Sequence, residues 1–152
     1  MTTLTNSYRV LINALPDAVF AYVADLTRHP EWSGGRLKIE ALSSGPLAVG
    51  HQYLSHGDVA GQKDRANQLR VTQYQSPTRF AFAAQDPDFG EVPHEFTFTP
   101  QAGGTLLERT VTVTLPPIRA FVFRTFIQPL IGKPMMDKAL AALKAKLEQR
   151  KS

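Results

Sequence analysis

A chain of 152 residues, 43% hydrophobic and 20% charged, is long enough to bury one core and too ordinary in composition to be disordered or fibrous. It has no cysteine, which excludes disulfides, thiolate zinc sites and cysteine nucleophiles and agrees with a reducing compartment. The net charge of +4 raises a nucleic-acid reading. However, Lys138, Lys144, Lys146, Arg150 and Lys151 sit on or after the last helical pattern, where cations offset the helix dipole, and basic residues do not interleave with aromatics, so no nucleic acid is expected.

The polar start, Met1 to Ser7, lacks the basic and apolar regions of a secretion signal, and no window holds the ~20 apolar residues of a membrane span, so a cytoplasmic protein is expected. From Ser7 to Asn13, Tyr8, Val10 and Ile12 alternate with polar neighbours as in a half-buried strand. Pro16 and Asp17 then open a helix in which Val19, Phe20, Val23 and Leu26 share a face, ending near Leu26. His29-Pro30 interrupts it, and Glu31 to Gly35 reads as a turn.

A period of two returns from Arg36 to Ala41 and again at Gly50–His56, Arg65–Tyr74, Arg79–Gln85, Pro93–Thr99 and Thr105–Leu115, each patch bounded by turn residues. Short connections require antiparallel pairing. Val71 and Tyr74 have opposite parity, which predicts a bulge between them if both face inward. After Pro116-Pro117, the apolar run Ile118 to Ile131 and then Met136, Leu140, Leu143 and Leu147 read as a long helix, bent or broken at Pro129, Gly132 and Pro134. The order predicts an α+β fold of one domain, a curved antiparallel sheet of about seven strands wrapped around the C-terminal helix.

Pro16 to Leu26 followed by His29-Pro30-Glu31-Trp32, together with Val49-Gly50, Pro77-Thr78-Arg79-Phe80, Phe96, Phe98, Gly103-Gly104-Thr105 and Leu143 to Glu148, resembles the START-related, birch-allergen-like superfamily, often called SRPBCC. The chain is most similar to its polyketide cyclase/dehydrase-like branch, over nearly the full length. The resemblance implies a helix-grip fold across residues 1–152 with a cavity between sheet and helix for a hydrophobic ligand. It brings no catalytic motif.

Strand parity turns Leu107 and Arg109 inward with Val111, and His94 inward with Phe96 and Phe98. An inward guanidinium needs an acceptor, either the anionic head of a ligand or a structural acid such as Asp86 or Glu95, unless the register slips and turns it out. His94 is the best candidate general base or ligand hydrogen bonder, the alternative being an ordinary satisfied histidine. Tyr53, Asn67 and Arg65 offer weaker polar contacts. Phe80, Phe82, Phe96 and Phe98 form either core or cavity wall. His51 and His56 point to opposite faces and His29 falls in a turn, so no metal site is expected. Asp86-Pro87-Asp88 is turn chemistry, and without a phosphate loop no cofactor is expected. The aromatic stretch Phe121 to Ile127 reads as closing the pocket rather than as an interfacial membrane helix.

These features predict a binder or carrier of a small hydrophobic molecule, with Tyr53, Asn67, Phe82, His94, Phe96 and Arg109 lining its site. The rivals are a polyketide cyclase or dehydratase-type enzyme using His94, and a protein-interaction module. A weak homodimer is compatible with each.

Overall fold

Alternating apolar and polar residues give strands with one face to bury, and seven such strands form one antiparallel sheet in the computed structural model, which describes residues 1–33, 37–59, 62–87 and 89–150. They are β1 (Thr2–Ile12), β2 (Leu37–Ala41), β3 (Gln52–Val59), β4 (Gln62–Gln75), β5 (Arg79–Asp86), β6 (Gly90–Gln101) and β7 (Gly104–Leu115). The sheet order β1-β7-β6-β5-β4-β3-β2 makes β2 to β7 a meander, with β1 added at the β7 edge. Tyr8, Ile12, Val71, Phe80, Phe82, Phe96, Phe98 and Leu107 bury the inner face in a common core. The expected bulge lies between Val71 and Gln73, and a second between Gly57 and Val59; both bend the sheet.

β1 begins at Thr2 rather than near Ser7. Its early residues are held by cross-strand hydroxyl pairs on the outer face: Thr3 with Thr114 and Thr5 with Thr112, both at 3.2 Å, and Ser7 with Thr110 at 3.0 Å. Polar residues thus extend the strand without breaking its pattern. Between β6 and β7, a Cβ on Gly104 would collide with the Ile12 carbonyl, so the approach of β1 to this turn requires glycine.

The first helix, α1 (Pro16–Ala24), starts with proline and Asp17 in its first turn and buries Val19, Phe20 and Val23. It stops before Leu26 because Asp25 leaves the helical conformation and its Oδ1 accepts from the Thr27 N–H at 3.2 Å, capping a 3₁₀ turn (Leu26–Glu31). That turn buries Leu26 and His29, and Trp32 follows it into the core.

The C-terminal helix is continuous through α2 (Pro117–Val122), a π-helical segment (Phe123–Gly132) and α3 (Lys133–Arg150). At Pro129, one of the positions expected to bend or break the helix, the α-turns give way to π-turns and the helix is not interrupted. In an α-turn its ring would press on the carbonyl four residues earlier; the wider turn, with the Lys133 N–H bonded to the Gln128 carbonyl, accommodates it. Pro134 follows directly after the π-helical segment, at the start of α3. Leu140, Leu143 and Leu147 pack into the core with Phe20 and Phe98. At the far end, Lys144 Nζ donates to the Leu11 carbonyl and the Asn13 N–H to Glu148 Oε2, both at 2.9 Å, anchoring α3 to β1.

The preceding segment behaves differently. No residue from Phe123 to Gly132 is buried, and Phe121, Val122 and Phe126 face outward. The expectation that Phe121 to Ile127 closes a pocket with its aromatic side chains is therefore corrected: Phe121 and Phe126 face outward, and Phe123, half-buried, packs beside Phe89 on the small cluster of Val92, Val113, Leu115 and Ala120.

Candidate functional site

Arg109 lies in the middle of β7, opposite Tyr8 on β1 and Phe96 on β6, and its inward parity leaves it only 7% exposed. Neither proposed acid neutralises it. Glu95 is exposed on the other face, and Asp86 accepts the Phe89 N–H at 3.0 Å. Instead, Arg109 Nη2 donates to His94 Nδ1 at 3.1 Å. The guanidinium carbon lies 5.1 Å from the Phe96 ring centre and 5.8 Å from that of Trp32, so ring faces supply part of the missing counter-charge. Its Nε is buried without a hydrogen-bond partner among the described residues. Burial lowers the Arg109 pKa to about 10, the nearby Tyr8 phenol working in the opposite direction, so the cation persists at neutral pH.

His94 stacks on Phe82 with ring centres 4.6 Å apart and planes 6° from parallel. Its pKa falls well below the ordinary histidine value, first through burial and then through Arg109 and His29. A neutral ring that accepts at Nδ1 carries its proton on Nε2. His94 therefore offers a donor from Nε2, and this tautomer is not a base at that atom.

Two aromatic residues complete the cluster. His29, 3% exposed, donates from Nε2 to the Val23 carbonyl at 2.7 Å, and its pKa drops to about 3, chiefly by burial and secondarily by Arg109, while the Val23 bond raises it. Its ring centre lies 4.6 Å from Trp32 and about 6 Å from Phe82 and Phe96. Trp32, 2% exposed, has a buried Nε1–H with no acceptor among the described residues. Reading His29 and Glu31 to Gly35 as a turn missed both residues; the one available signal was a lone tryptophan too large and apolar to leave in a solvated turn.

The structure brings Phe82, His94, Phe96 and Arg109 together and sets Tyr53 and Asn67 apart. Tyr53 is buried on β3, its pKa raised by burial and then by Asp25. Asn67, on β4, sits opposite Ser55, three strands from Arg109 and so about 14 Å across the sheet, and its Oδ1 is buried without a donor among the described residues. The Arg65 side chain and Asp88 lie outside the described residues. Tyr8 connects Arg109 to the long helix, because Gln128 Nε2 donates to its hydroxyl at 2.5 Å.

A cleft of about 540 Å³ lies elsewhere, between α1 and the end of α3, where Ala14, Leu15, Ala18 and Leu147 form apolar walls. Its charged residues already face one another, with Arg28 Nε 3.5 Å from Asp25 and the guanidinium over the Tyr22 ring. The cluster at Arg109 is chemically the more demanding, because a cation and an indole N–H are buried there together, the one without an acid and the other without an acceptor among the described residues.

The profile of the family described as polyketide cyclase/dehydrase and lipid transport matches residues 1–148. Among solved structures, TTHA0849 from Thermus thermophilus superposes with a TM-score of 0.77 at 19% identity, covering 98% of this chain and 100% of that one. The Zhui aromatase/cyclase from Streptomyces sp. R1128 also gives 0.77, at 20% identity, over 99% and 97% of the two chains. Protein Ms6760 from Mycobacterium smegmatis gives 0.70 at 17% identity, over 95% and 90%. At these identities the likeness establishes the fold. No curated protein matches the sequence significantly.

Proposed function

The chain belongs to the polyketide cyclase/dehydrase and lipid transport family, and on that premise we propose that it binds a small hydrophobic molecule whose acceptor head, a carboxylate, phenolate or ketone, is held by Arg109. One observation carries this reading: among the described residues Arg109 is buried with no acid beside it and its Nε unpartnered, near Trp32, whose Nε1–H is likewise without an acceptor. The oxygens of an anionic or carbonyl head would satisfy these donors. The apolar body of the ligand would lie on Phe82 and Phe96 beneath the π-helical segment, which buries nothing of its own. The orphan Oδ1 of Asn67 suits a hydroxyl or amide at the distant end of an elongated ligand.

Trp32 is the only tryptophan and reports directly on the site. Titration with a medium-chain fatty acid and with a naphthoic acid, followed by intrinsic fluorescence, is expected to give a saturable change with one of them that Arg109→Met abolishes. No change with either acid, or an unchanged response in the variant, would contradict the assignment.

A second reading is favoured by the neutral His94. Its Nε2–H, on the ring edge away from Arg109, would donate to an enolate oxygen, as a cyclase or dehydratase acting on a polyketide-like substrate requires. In that reading His94 is an electrophilic donor, and the proton acceptor is another group or the substrate itself.

A further inference from the structure

We propose that the outer face of the helix between Ile118 and Met135 is an interfacial docking surface for an anionic lipid bilayer. The inference is independent of which ligand occupies the Arg109 site.

Exposed large apolar residues concentrate here. Ile118, Val122, Phe126 and Leu130 recur every four residues, with Ile118 81% and Leu130 71% exposed, and Ile127, Ile131 and Met135 form an adjacent row at the same spacing. Residues four apart share a helix face, and the insertion of π turns keeps that spacing aligned across the segment. The opposite row is the one that meets the protein: Ala120 is buried, Gln128 bonds Tyr8 and Met136 packs against the core. The apolar stripe is therefore not a displaced core face; the helix has a protein side and a separate oily side.

Charge identifies what covers it. No acidic residue occurs between Glu108 and Asp137, whereas Arg119, Arg124 and Lys133 lie on or beside the exposed face. Arg119 leans over Phe89 and Lys133 pairs with Asp137, while Arg124 makes no ion pair among the described residues. A second copy docking face to face through a two-fold axis would bring these cations against their own images. Anionic headgroups complement them, and the long arginine and lysine stems reach outward while the apolar rows enter the acyl boundary. The face is also a convex ridge of one helix, which suits a fluid lipid surface. Three cations fall short of a polybasic anchor, so attachment must draw mainly on apolar insertion, with charge selecting the lipid. No helix among the described residues is long and apolar enough to cross a membrane, so the attachment is peripheral.

The test is co-sedimentation of the full chain with vesicles of phosphatidylcholine containing a minor share of phosphatidylglycerol, beside vesicles of phosphatidylcholine alone. Binding is expected to be stronger on the anionic vesicles, to fall about tenfold or more in Phe126→Asp/Leu130→Asp, and to fall by a smaller factor in Arg124→Glu. Because these side chains are exposed, circular dichroism and thermal melting should stay unchanged, and ligand-induced Trp32 fluorescence measured without vesicles should persist. The proposal is overturned if the wild-type chain stays in the supernatant with both vesicle types, or if the double variant sediments equally well. It is also overturned if sedimentation velocity shows a wild-type dimer that the double variant dissolves while vesicle binding is absent.

Discussion

Arg109 donates to the Nδ1 atom of His94 at 3.1 Å, a contact between a cation and a base too weak to take its proton. The ring is neutral because burial and the guanidinium both disfavour its charge, and the guanidinium gains a hydrogen bond but no counter-charge. This pair leaves a buried positive charge with no acid beside it among the described residues.

Replacing Arg109 by methionine should separate stability from binding. Removing a buried cation without an acid removes an uncompensated desolvation cost, so Arg109→Met is expected to raise stability by about 1 to 3 kcal/mol. Affinity for an acidic ligand should fall at least about tenfold with the loss of a charge-assisted contact. Urea unfolding and Trp32 fluorescence titration check the two halves separately.

Acid should weaken the fold before most carboxylates titrate. In the unfolded chain His29 titrates near 6.5, and in the folded chain only near pH 3. Its contribution is therefore fully present above about pH 6.5 and is lost as pH falls toward 3, because the unfolded state takes the proton first. The slope approaches about 1.4 kcal/mol per pH unit for this residue alone, and His94, shifted in the same direction, adds to it. Denaturant midpoints at about pH 7.5 and about pH 5 should differ accordingly; equal midpoints would show that His29 is solvated.

The two halves of the long helix should respond differently to truncation. Leu143→Ala removes a fully buried side chain between helix and sheet and should cost about 2 to 5 kcal/mol. Leu130→Ala, on the outward face, should stay within about 0.5 kcal/mol of wild type. Thermal melts of both variants measure the contrast.

If a β-keto thioester proves to be turned over, substitutions at His94 report its role. As a donor it should be partly replaced in His94→Gln, which keeps an N–H, and lost in His94→Ala. A general base would be lost equally in both. The ratio of their kcat values decides between the roles.

Much of this arrangement was legible in the sequence because a strand's period fixes its faces. Parity alone turned Arg109, His94, Phe96 and Phe98 inward, and the mismatch between Val71 and Tyr74 located a bulge that the sheet contains. Parity could not say what meets an inward arginine, since Asp86, Glu95 and His94 come from separate strands or faces. His29 and Trp32 escaped because a 3₁₀ turn has no long apolar period, and its burial depends on the sheet it covers. Phe121 to Ile127 does not close a pocket as its composition suggests, because apolar composition does not distinguish contact with a protein core from exposure on an outer face.

The indole and guanidino N–H resonances of a nitrogen-15 correlation spectrum test the central claim most directly, since Trp32 supplies the only indole signal. On titration with an apolar carboxylic acid that binds, the Trp32 Nε1–H and Arg109 Nε–H resonances should both move downfield and saturate together. Binding that shifts methyl resonances while leaving both of these N–H signals in place would show that the acceptor head is held elsewhere.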